Sequence, residues 1–305
     1  MRRIARLACM AFAAVACGAA LADPTSAPGA LAAVSVNGVR LHYVERGAGE
    51  PVIFVHGAFD DYREWEPVAR SLAGSYRTIT YSRRYNFPND NPVAPGDHSA
   101  LVEARDLAAL IRALHAGPAH VVGASYGAYA ALLLAIREPK LVRSLTLVEP
   151  PLVGWLADLP GGRELREEFL RGTWRPSAEA FRREDYVHAV HIAFDFFLGR
   201  GGFDKLPMAA QAAALANERE WYALTTSRDP FPEVTRAQVK AIAAPVLMIS
   251  GGRTFPMMRL TDAELERRLP HVRRVIVPDA THEVCSEQPA SCSARIRGFL
   301  AAVRP

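Results

Sequence analysis

The stretch that decides the fold is HVVGASYGAYAALLLAIR, residues 120–137. It begins with an apolar segment suited to a buried strand and continues as an alanine- and leucine-rich segment that favours a helix. Between the two lies the pattern G-x-S-x-G at 123–127. A sharp turn there would push the side chain of Ser125 out at the carboxyl edge of a sheet, and the two glycines would allow strand and helix to pack closely. The sequence therefore predicts Ser125 as a nucleophile.

Strand and helix patterns alternate on both sides of this stretch. Strands are predicted at 34–36, 40–44, 51–55, 76–81, 120–123, 142–148, 245–250 and 274–277. Helices are predicted around 65–72, at 99–114 with Ser99 as N-cap, at 126–137, near 259–269, and in a final segment that ends near 303. The first two strands flank Asn37-Gly38, a two-residue hairpin signal. The alternation predicts the α/β class, with a doubly wound and mostly parallel sheet.

The alternation is interrupted by residues 151–235, which have helical patterns and no clear strand. This segment contains 12 of the 26 aromatic residues of the chain. We therefore predict a core formed by residues 31–150 and 236–305, with a helical cap inserted at 151–235. Most of the aromatic side chains are expected to pack the cap itself, and the remainder to cover an apolar pocket.

The first 22 residues predict a cleaved secretory signal peptide. Arg2, Arg3 and Arg6 precede an apolar run at 7–16, and the A-x-A pattern at 20–22 follows. The run is too short to span a bilayer, and no second long apolar run follows, so no membrane span is predicted. We expect a periplasmic or secreted protein. A lipoprotein anchor at Cys17 is the second possibility, because Val-Ala-Cys-Gly resembles a lipobox.

Charge and cysteine content narrow the partners and the compartment. Without the three arginines of the leader the formal charge falls from +4 to +1. Nothing therefore favours a nucleic acid or another polyanion as partner. Cys285 and Cys292 are the cysteines that remain after cleavage, and in an oxidising compartment their close spacing predicts a disulfide; two buried free thiols are the alternative.

A serine hydroxyl needs a neighbouring base before it can attack a carbonyl group. His282 follows the last predicted strand, so it should lie at the same sheet edge as Ser125. The attacked carbonyl oxygen also needs hydrogen-bond donors. We expect the backbone N–H groups of Tyr126 and Ala58 to supply them, whereas His56 is expected to shape the turn before Ala58.

His56-Gly57, the G-x-S-x-G pattern and His282 occur in the order found in the α/β-hydrolase superfamily. Across essentially the whole mature chain, the sequence resembles the serine-nucleophile branch of esterase- and haloperoxidase-like enzymes with a helical cap. Ser125 sets it apart from the branches that use aspartate, the epoxide hydrolases and haloalkane dehalogenases. The resemblance implies no metal or organic cofactor, and the histidines and cysteines show no zinc-ligand spacing.

The sequence departs from the superfamily at two places. Residues 81–85 read Tyr-Ser-Arg-Arg-Tyr where Asp-x-Arg-Gly is usual. Thr254 also lies roughly where the third member of the triad, an aspartate, is expected. Glu149 is the main candidate for the missing acid, because it ends the strand after the nucleophile helix, where some α/β-hydrolases carry a catalytic carboxylate. Asp262, Asp279 or no acid at all are the alternatives.

The function that follows is hydrolysis of a carboxylic ester of a small, apolar molecule through a covalent acyl-enzyme. Hydrolysis of lactones, thioesters or amides, or cofactor-free perhydrolysis, would use the same residues. A non-catalytic binding protein with this fold is a further alternative, favoured by Thr254. The substrate itself is not encoded in any motif of the chain.

Overall fold

The computed structural model describes residues 29–94 and 96–303. The predicted signal peptide, residues 1–22, and Cys17 lie outside the described residues. The described residues form eight strands: β1 (Leu31–Val36), β2 (Val39–Arg46), β3 (Pro51–Val55), β4 (Arg77–Tyr81), β5 (Ala119–Ala124), β6 (Val142–Val148), β7 (Val246–Gly251) and β8 (Val272–Val277). They alternate with helices along the chain, as the sequence predicts.

All eight strands belong to one sheet in the order β1-β2-β4-β3-β5-β6-β7-β8. The hairpin of β1 and β2 is antiparallel, and β2 pairs antiparallel with β4. Every other pairing, from β4 to β8, is parallel. The predicted doubly wound, mostly parallel sheet is therefore confirmed, and the carboxyl ends of its parallel strands share one edge.

Helices cover both faces of the sheet. They are α1 (Glu66–Leu72), α2 (Ala100–Ala113), α3 (Ser125–Arg137), α4 (Gly162–Phe169), α5 (Arg175–Arg182), α6 (Tyr186–Leu198), α7 (Met208–Ala216), α8 (Glu218–Thr225), α9 (Arg236–Lys240), α10 (Pro256–Arg268), α11 (Val284–Glu287) and α12 (Pro289–Ala302). The helices α1 and α12 bury one face, and α2, α3 and α10 bury the other. Successive β3 residues alternate between the two cores, as a strand buried on both sides requires. No helix of the described residues has both the length and the apolar character needed to cross a membrane.

Five of these helices, α4 to α8, lie between β6 and β7, in the segment 151–235 that we call the cap. The described cap contains no strand. Its aromatic side chains pack against one another in a continuous cluster, with Trp174 5.0 Å from both Trp221 and Phe231 between ring centroids. The cap is also tied to the nucleophile helix, because the hydroxyl of Tyr126 donates to Pro230 O at 2.7 Å.

The two glycines of the G-x-S-x-G pattern lie where the turn into α3 presses against neighbouring backbone. A Cβ at Gly127 would lie 2.3 Å from His56 O and 2.4 Å from Val55 O. A Cβ at Gly123 would lie 2.7 Å from both Gly127 O and Ala128 Cα. Because these neighbours are backbone atoms, only glycine allows β3, β5 and α3 to approach so closely.

Replacing Gly127 by alanine is expected to lower the free energy of unfolding by about 3 kcal/mol, the upper end of what overpacking costs. The matched control is Gly298→Ala in α12, where an added Cβ meets nothing within 4 Å. In this control the free energy of unfolding should rise by about 0.5–1 kcal/mol, because alanine has less backbone entropy to lose in a helix than glycine. Urea unfolding followed by circular dichroism measures both, and equal effects would contradict this account of the turn.

Candidate active site

The residues that follow five adjacent strands lie at one edge of the sheet. The loop 56–59 follows β3, Ser125 follows β5, and Glu149 follows β6. Thr254 follows β7, and His282 follows β8. Since β3, β5, β6, β7 and β8 are parallel neighbours in that order, the residues beyond their carboxyl ends converge on one crevice.

Ser125 lies at a strained turn between β5 and α3. Its φ angle is +48°, in the left-handed region that side-chain-bearing residues seldom adopt. Ala124 pairs with Val148 across β5 and β6, so Ser125 and Glu149 leave neighbouring strands at the same level. Glu149 has a similar left-handed φ of +51°. Backbone strain of this kind is concentrated at functional sites, where the surrounding structure maintains it.

A hydrogen bond of 2.5 Å joins His282 Nδ1 to Glu149 Oε2. Because a carboxylate oxygen only accepts, Nδ1 carries the proton and Nε2 is left with a free lone pair. Burial by itself lowers the pKa of His282, but the hydrogen bond and charge of Glu149 outweigh it and raise this pKa above 6.5. Within the described residues no hydrogen bond joins Ser125 to His282, so proton transfer between these two residues stays a prediction.

The carboxylate of Glu149 is fully buried and accepts two more hydrogen bonds. Gly251 N donates to Oε1 at 2.7 Å, and Thr254 Oγ1 donates to Oε2 at 2.5 Å. Thr254 thus stands beside the carboxylate and orients it. At the position where the sequence suggests a missing acid, the structure has a hydroxyl that donates to the carboxylate at the end of the neighbouring strand β6.

Within the described residues, neither of the two alternative acids is hydrogen-bonded to His282. Asp262 accepts a hydrogen bond from Ser250 Oγ at 2.6 Å and lies 3.8 Å from Arg274. Burial raises the pKa of Asp262 to about 7. Asp279 is exposed. Among the three carboxyl groups weighed from the sequence, Glu149 alone is hydrogen-bonded to the imidazole in the described structure.

The loop that carries His282 packs closely over the end of β7. A Cβ at Gly251 would lie 2.1 Å from Thr281 O, and one at Gly252 would lie 2.3 Å from Pro278 O. Two successive glycines therefore let the loop reach Glu149. Beyond the loop, Cys285 and Cys292 are joined by a disulfide, with their Cα atoms 5.3 Å apart.

In the loop after β3, one backbone N–H group without an acceptor among the described residues lies between two N–H groups that are hydrogen-bonded. Gly57 N donates to Glu64 Oε2 at 2.8 Å, and Phe59 N donates to Glu220 Oε2 at 3.4 Å. Ala58 N, between them, has no acceptor among the described residues. Tyr126 N lies in the first turn of α3, where N–H groups have no partner within the helix. Ala58 N thus has no acceptor and Tyr126 N none within its helix, and their role as donors to an oxyanion stays a prediction.

His56 is buried and has both ring nitrogens occupied. Its Nε2 accepts a hydrogen bond from Arg83 N at 2.9 Å, so Nδ1 carries the proton and donates to Gly57 O at 2.9 Å. Burial and the charge of Arg83 lower the pKa of His56 to about 3. A neutral ring locked in this way shapes the turn and offers no base to a substrate.

Arg83 is a buried cation that the sequence did not single out as a site residue. Its side chain donates to the carbonyl oxygens of His56 at 3.1 Å and Gly57 at 3.0 Å. It also pairs with Glu220 of the cap, and with Glu103 of α2 at 3.4 Å. The unusual segment 81–85 thus supplies an ion-pair network under the loop 56–59.

Aromatic rings from the cap and the core lie over the crevice. The ring of Phe255 is 5.4 Å from that of His282 and 5.4 Å from that of Phe197, between centroids. Phe59 lies 4.9 Å from Trp221 by the same measure. Within the described part of the chain, no group of three or more histidine, cysteine or acidic residues is placed to hold a metal ion. Aromatic rings thus line the side of the site that lies between His282 and the cap.

Comparison with known proteins identifies the family of the chain. Residues 52–295 match the sequence profile of the Alpha/beta hydrolase family. The chain is similar to BpoC, a bromoperoxidase-like protein of Mycobacterium tuberculosis (strain CDC 1551 / Oshkosh), with 28% identity over 285 residues, which cover 87% of this chain and 99% of the relative. Esterase Rv0045c of Mycobacterium tuberculosis (strain ATCC 25618 / H37Rv) is 27% identical over 263 residues, covering 83% of this chain and 84% of the relative.

Among solved structures, the enol-lactonase from Burkholderia xenovorans LB400 superposes with a TM-score of 0.72 at 18% identity. The match covers 88% of this chain and 99% of that one, and it supports the fold. Because the family profile covers most of the sequence, the chain belongs to the α/β-hydrolase family. Its esterase relatives identify it as an enzyme of the hydrolase type.

Proposed function

We propose that this protein is a serine hydrolase that cleaves carboxylic esters of small, apolar molecules through an acyl-enzyme. The observation that carries the proposal is the hydrogen bond from His282 Nδ1 to the buried Glu149, at the sheet edge where Ser125 leaves the adjacent strand. This bond fixes the imidazole tautomer whose Nε2 can accept a proton. Serine, histidine and carboxylate then have the roles of a catalytic triad.

In the first half of the reaction, Ser125 Oγ attacks the ester carbonyl carbon while His282 Nε2 takes the hydroxyl proton. The resulting imidazolium is stabilised by the Glu149 carboxylate. His282 then gives the proton to the leaving alcohol oxygen, and the carbon–oxygen bond breaks to leave an ester of Ser125. In the second half His282 activates water in the same way, and the acid is released.

The attacked carbonyl oxygen becomes negatively charged in both halves. The N–H groups of Ala58 and Tyr126 are the donors proposed for it. Both come from rigid surroundings, the loop braced by Arg83 and the first turn of α3. Donors held in place before the reaction stabilise the developing charge without having to reorganise.

The aromatic rings near His282 support an apolar substrate. Phe255 and Phe197 extend from the imidazole toward the cap, and Trp221 lies beside Phe197 with ring centroids 6.5 Å apart. Rings of this kind favour apolar groups and exclude water from the reacting atoms. The similarity to Esterase Rv0045c supports an ester as the substrate, and the apolar character rests on the rings alone.

Variants at the crevice test this proposal with a panel of short-chain nitrophenyl esters. Ser125→Ala should reduce kcat by about 10⁴-fold or more, and Glu149→Gln by about 10²- to 10⁴-fold, because the imidazole loses its orienting charge. The matched control is Asp262→Asn, another buried carboxyl group near this edge that does not bond to His282. The kcat of this control variant should stay within a few-fold of the kcat of the unmodified protein.

Two results would contradict the proposal. Near-normal kcat in folded Glu149→Gln would remove Glu149 from the triad. Failure of the unmodified, folded protein both to hydrolyse any ester and to react with a fluorophosphonate at Ser125 would favour the non-catalytic alternative. Faster turnover of lactones, thioesters or amides assayed in parallel, or faster formation of a peracid when hydrogen peroxide is added, would keep the triad and change the substrate class.

We further propose that the protein is exported to the periplasm or secreted after cleavage before Asp23. The signal-like pattern at 1–22 supports this, and so does the Cys285–Cys292 disulfide, since such bonds persist in oxidising compartments. Amino-terminal sequencing of protein recovered from the periplasm or medium of the expressing cells should begin at Asp23. Recovery of the intact leader in the cytoplasm would contradict export.

A further inference from the structure

The loop 56–59, which presents the Ala58 N–H, is held from the cap side as well as from the core. On the core side, Glu64 binds Gly57 N. On the cap side, Glu220 of α8 binds Phe59 N. The free donor thus lies between two residues fixed by carboxylates, and one of these carboxylates comes from the cap.

Phe59 needs this support because its backbone is unfavourable. Its φ angle is +64°, a left-handed conformation that a residue with a large side chain keeps only when its surroundings hold it. The cap supplies these surroundings. The Phe59 ring lies 5.0 Å from that of Phe194 in α6 and 4.9 Å from that of Trp221 in α8, between centroids.

Glu220 also connects the cap to Arg83. One carboxylate oxygen, Oε1, accepts from Arg83, which in turn donates to the carbonyl oxygens of His56 and Gly57. The other oxygen, Oε2, accepts from Phe59 N and, at 3.2 Å, from Asn86 Nδ2. Glu220 and Arg83 are both fully buried. Glu220 therefore holds the loop on both sides of Ala58, directly at Phe59 and through Arg83 on the other side.

We propose that Glu220 is a positioning residue that sets the Ala58 N–H in the oxyanion hole, through Phe59 N and Arg83, so that the cap completes the catalytic site. The inference rests on the proposed function, because it concerns the oxyanion of the same reaction. In this account the cap takes part in the catalytic geometry in addition to enclosing the substrate.

Glutamine at position 220 tests the inference with little change of shape. All three partners of Glu220 are hydrogen-bond donors. Phe59 N and Asn86 Nδ2 donate to Oε2, and Arg83 donates to Oε1. An amide has one oxygen and one NH₂ group, so either orientation places a donor against a donor. With the NH₂ group toward Phe59 N the loop is pushed away, and with it toward Arg83 the brace on His56 and Gly57 is lost.

The experiment measures kcat and KM for a nitrophenyl ester, with kcat expressed per Ser125 titrated by a fluorophosphonate. Glu220→Gln should lower kcat about 10- to 100-fold, because a displaced oxyanion donor weakens transition-state binding, and should leave KM within about threefold. Glu220→Asp, which keeps the charge on a shorter side chain, should retain part of the activity. A purely structural role would reduce the titrated serine and leave kcat per site unchanged.

The matched control is Arg84→Lys. Arg84 follows Arg83 and forms a two-pronged ion pair with Asp106 at 2.8 Å, away from the loop 56–59. Unchanged kcat per site in Glu220→Gln, an equal loss in Arg84→Lys, or a loss expressed only in KM would overturn the inference alone. Should Glu220→Gln not fold, the same criteria apply to Glu220→Asp. An unmodified protein that neither hydrolyses esters nor labels at Ser125 would overturn the proposed function together with this inference.

Discussion

The carboxylate of Glu149 organises the crevice of this protein. A charge buried completely is costly unless hydrogen-bond donors surround it, and Glu149 receives donors from Gly251, Thr254 and His282. These three residues come from the ends of β7 and β8, so one carboxylate at the end of β6 fixes the relative position of three strand ends. The imidazole is thereby oriented as part of satisfying a buried charge.

Much of this arrangement follows from local sequence patterns. The strand, turn and helix around Ser125 predicted the fold class, because buried strands and helical periodicity are short-range signals. Placement of Ser125, His282 and Glu149 at one edge follows from the topology of parallel strands, since each ends a strand or follows one. Thr254 is informative because it departs from the pattern of the superfamily. It stands where the superfamily usually has an acid, and the sequence gives no sign that its hydroxyl donates to the carboxylate of Glu149.

The contacts between cap and core could not be predicted in this way. Arg83 and Glu220 are separated by 137 residues, and no periodicity connects them. The unusual segment at 81–85 was the available signal, because a departure from a common pattern invites a search for a new partner. Likewise, glycines 251 and 252 are explained only by the backbone carbonyls of the loop that carries His282. Long-range packing of this kind leaves no regular trace in a sequence.

The most direct test of the central claim is the protonation state of His282, observed by nuclear magnetic resonance of ¹⁵N-labelled imidazole across a pH titration. The neutral ring should carry its proton on Nδ1, and its pKa should lie above 6.5. Glu149→Gln should lower this pKa, because burial without the carboxylate disfavours the charged ring. A neutral ring protonated on Nε2, or a pKa that Glu149→Gln leaves unchanged, would contradict it.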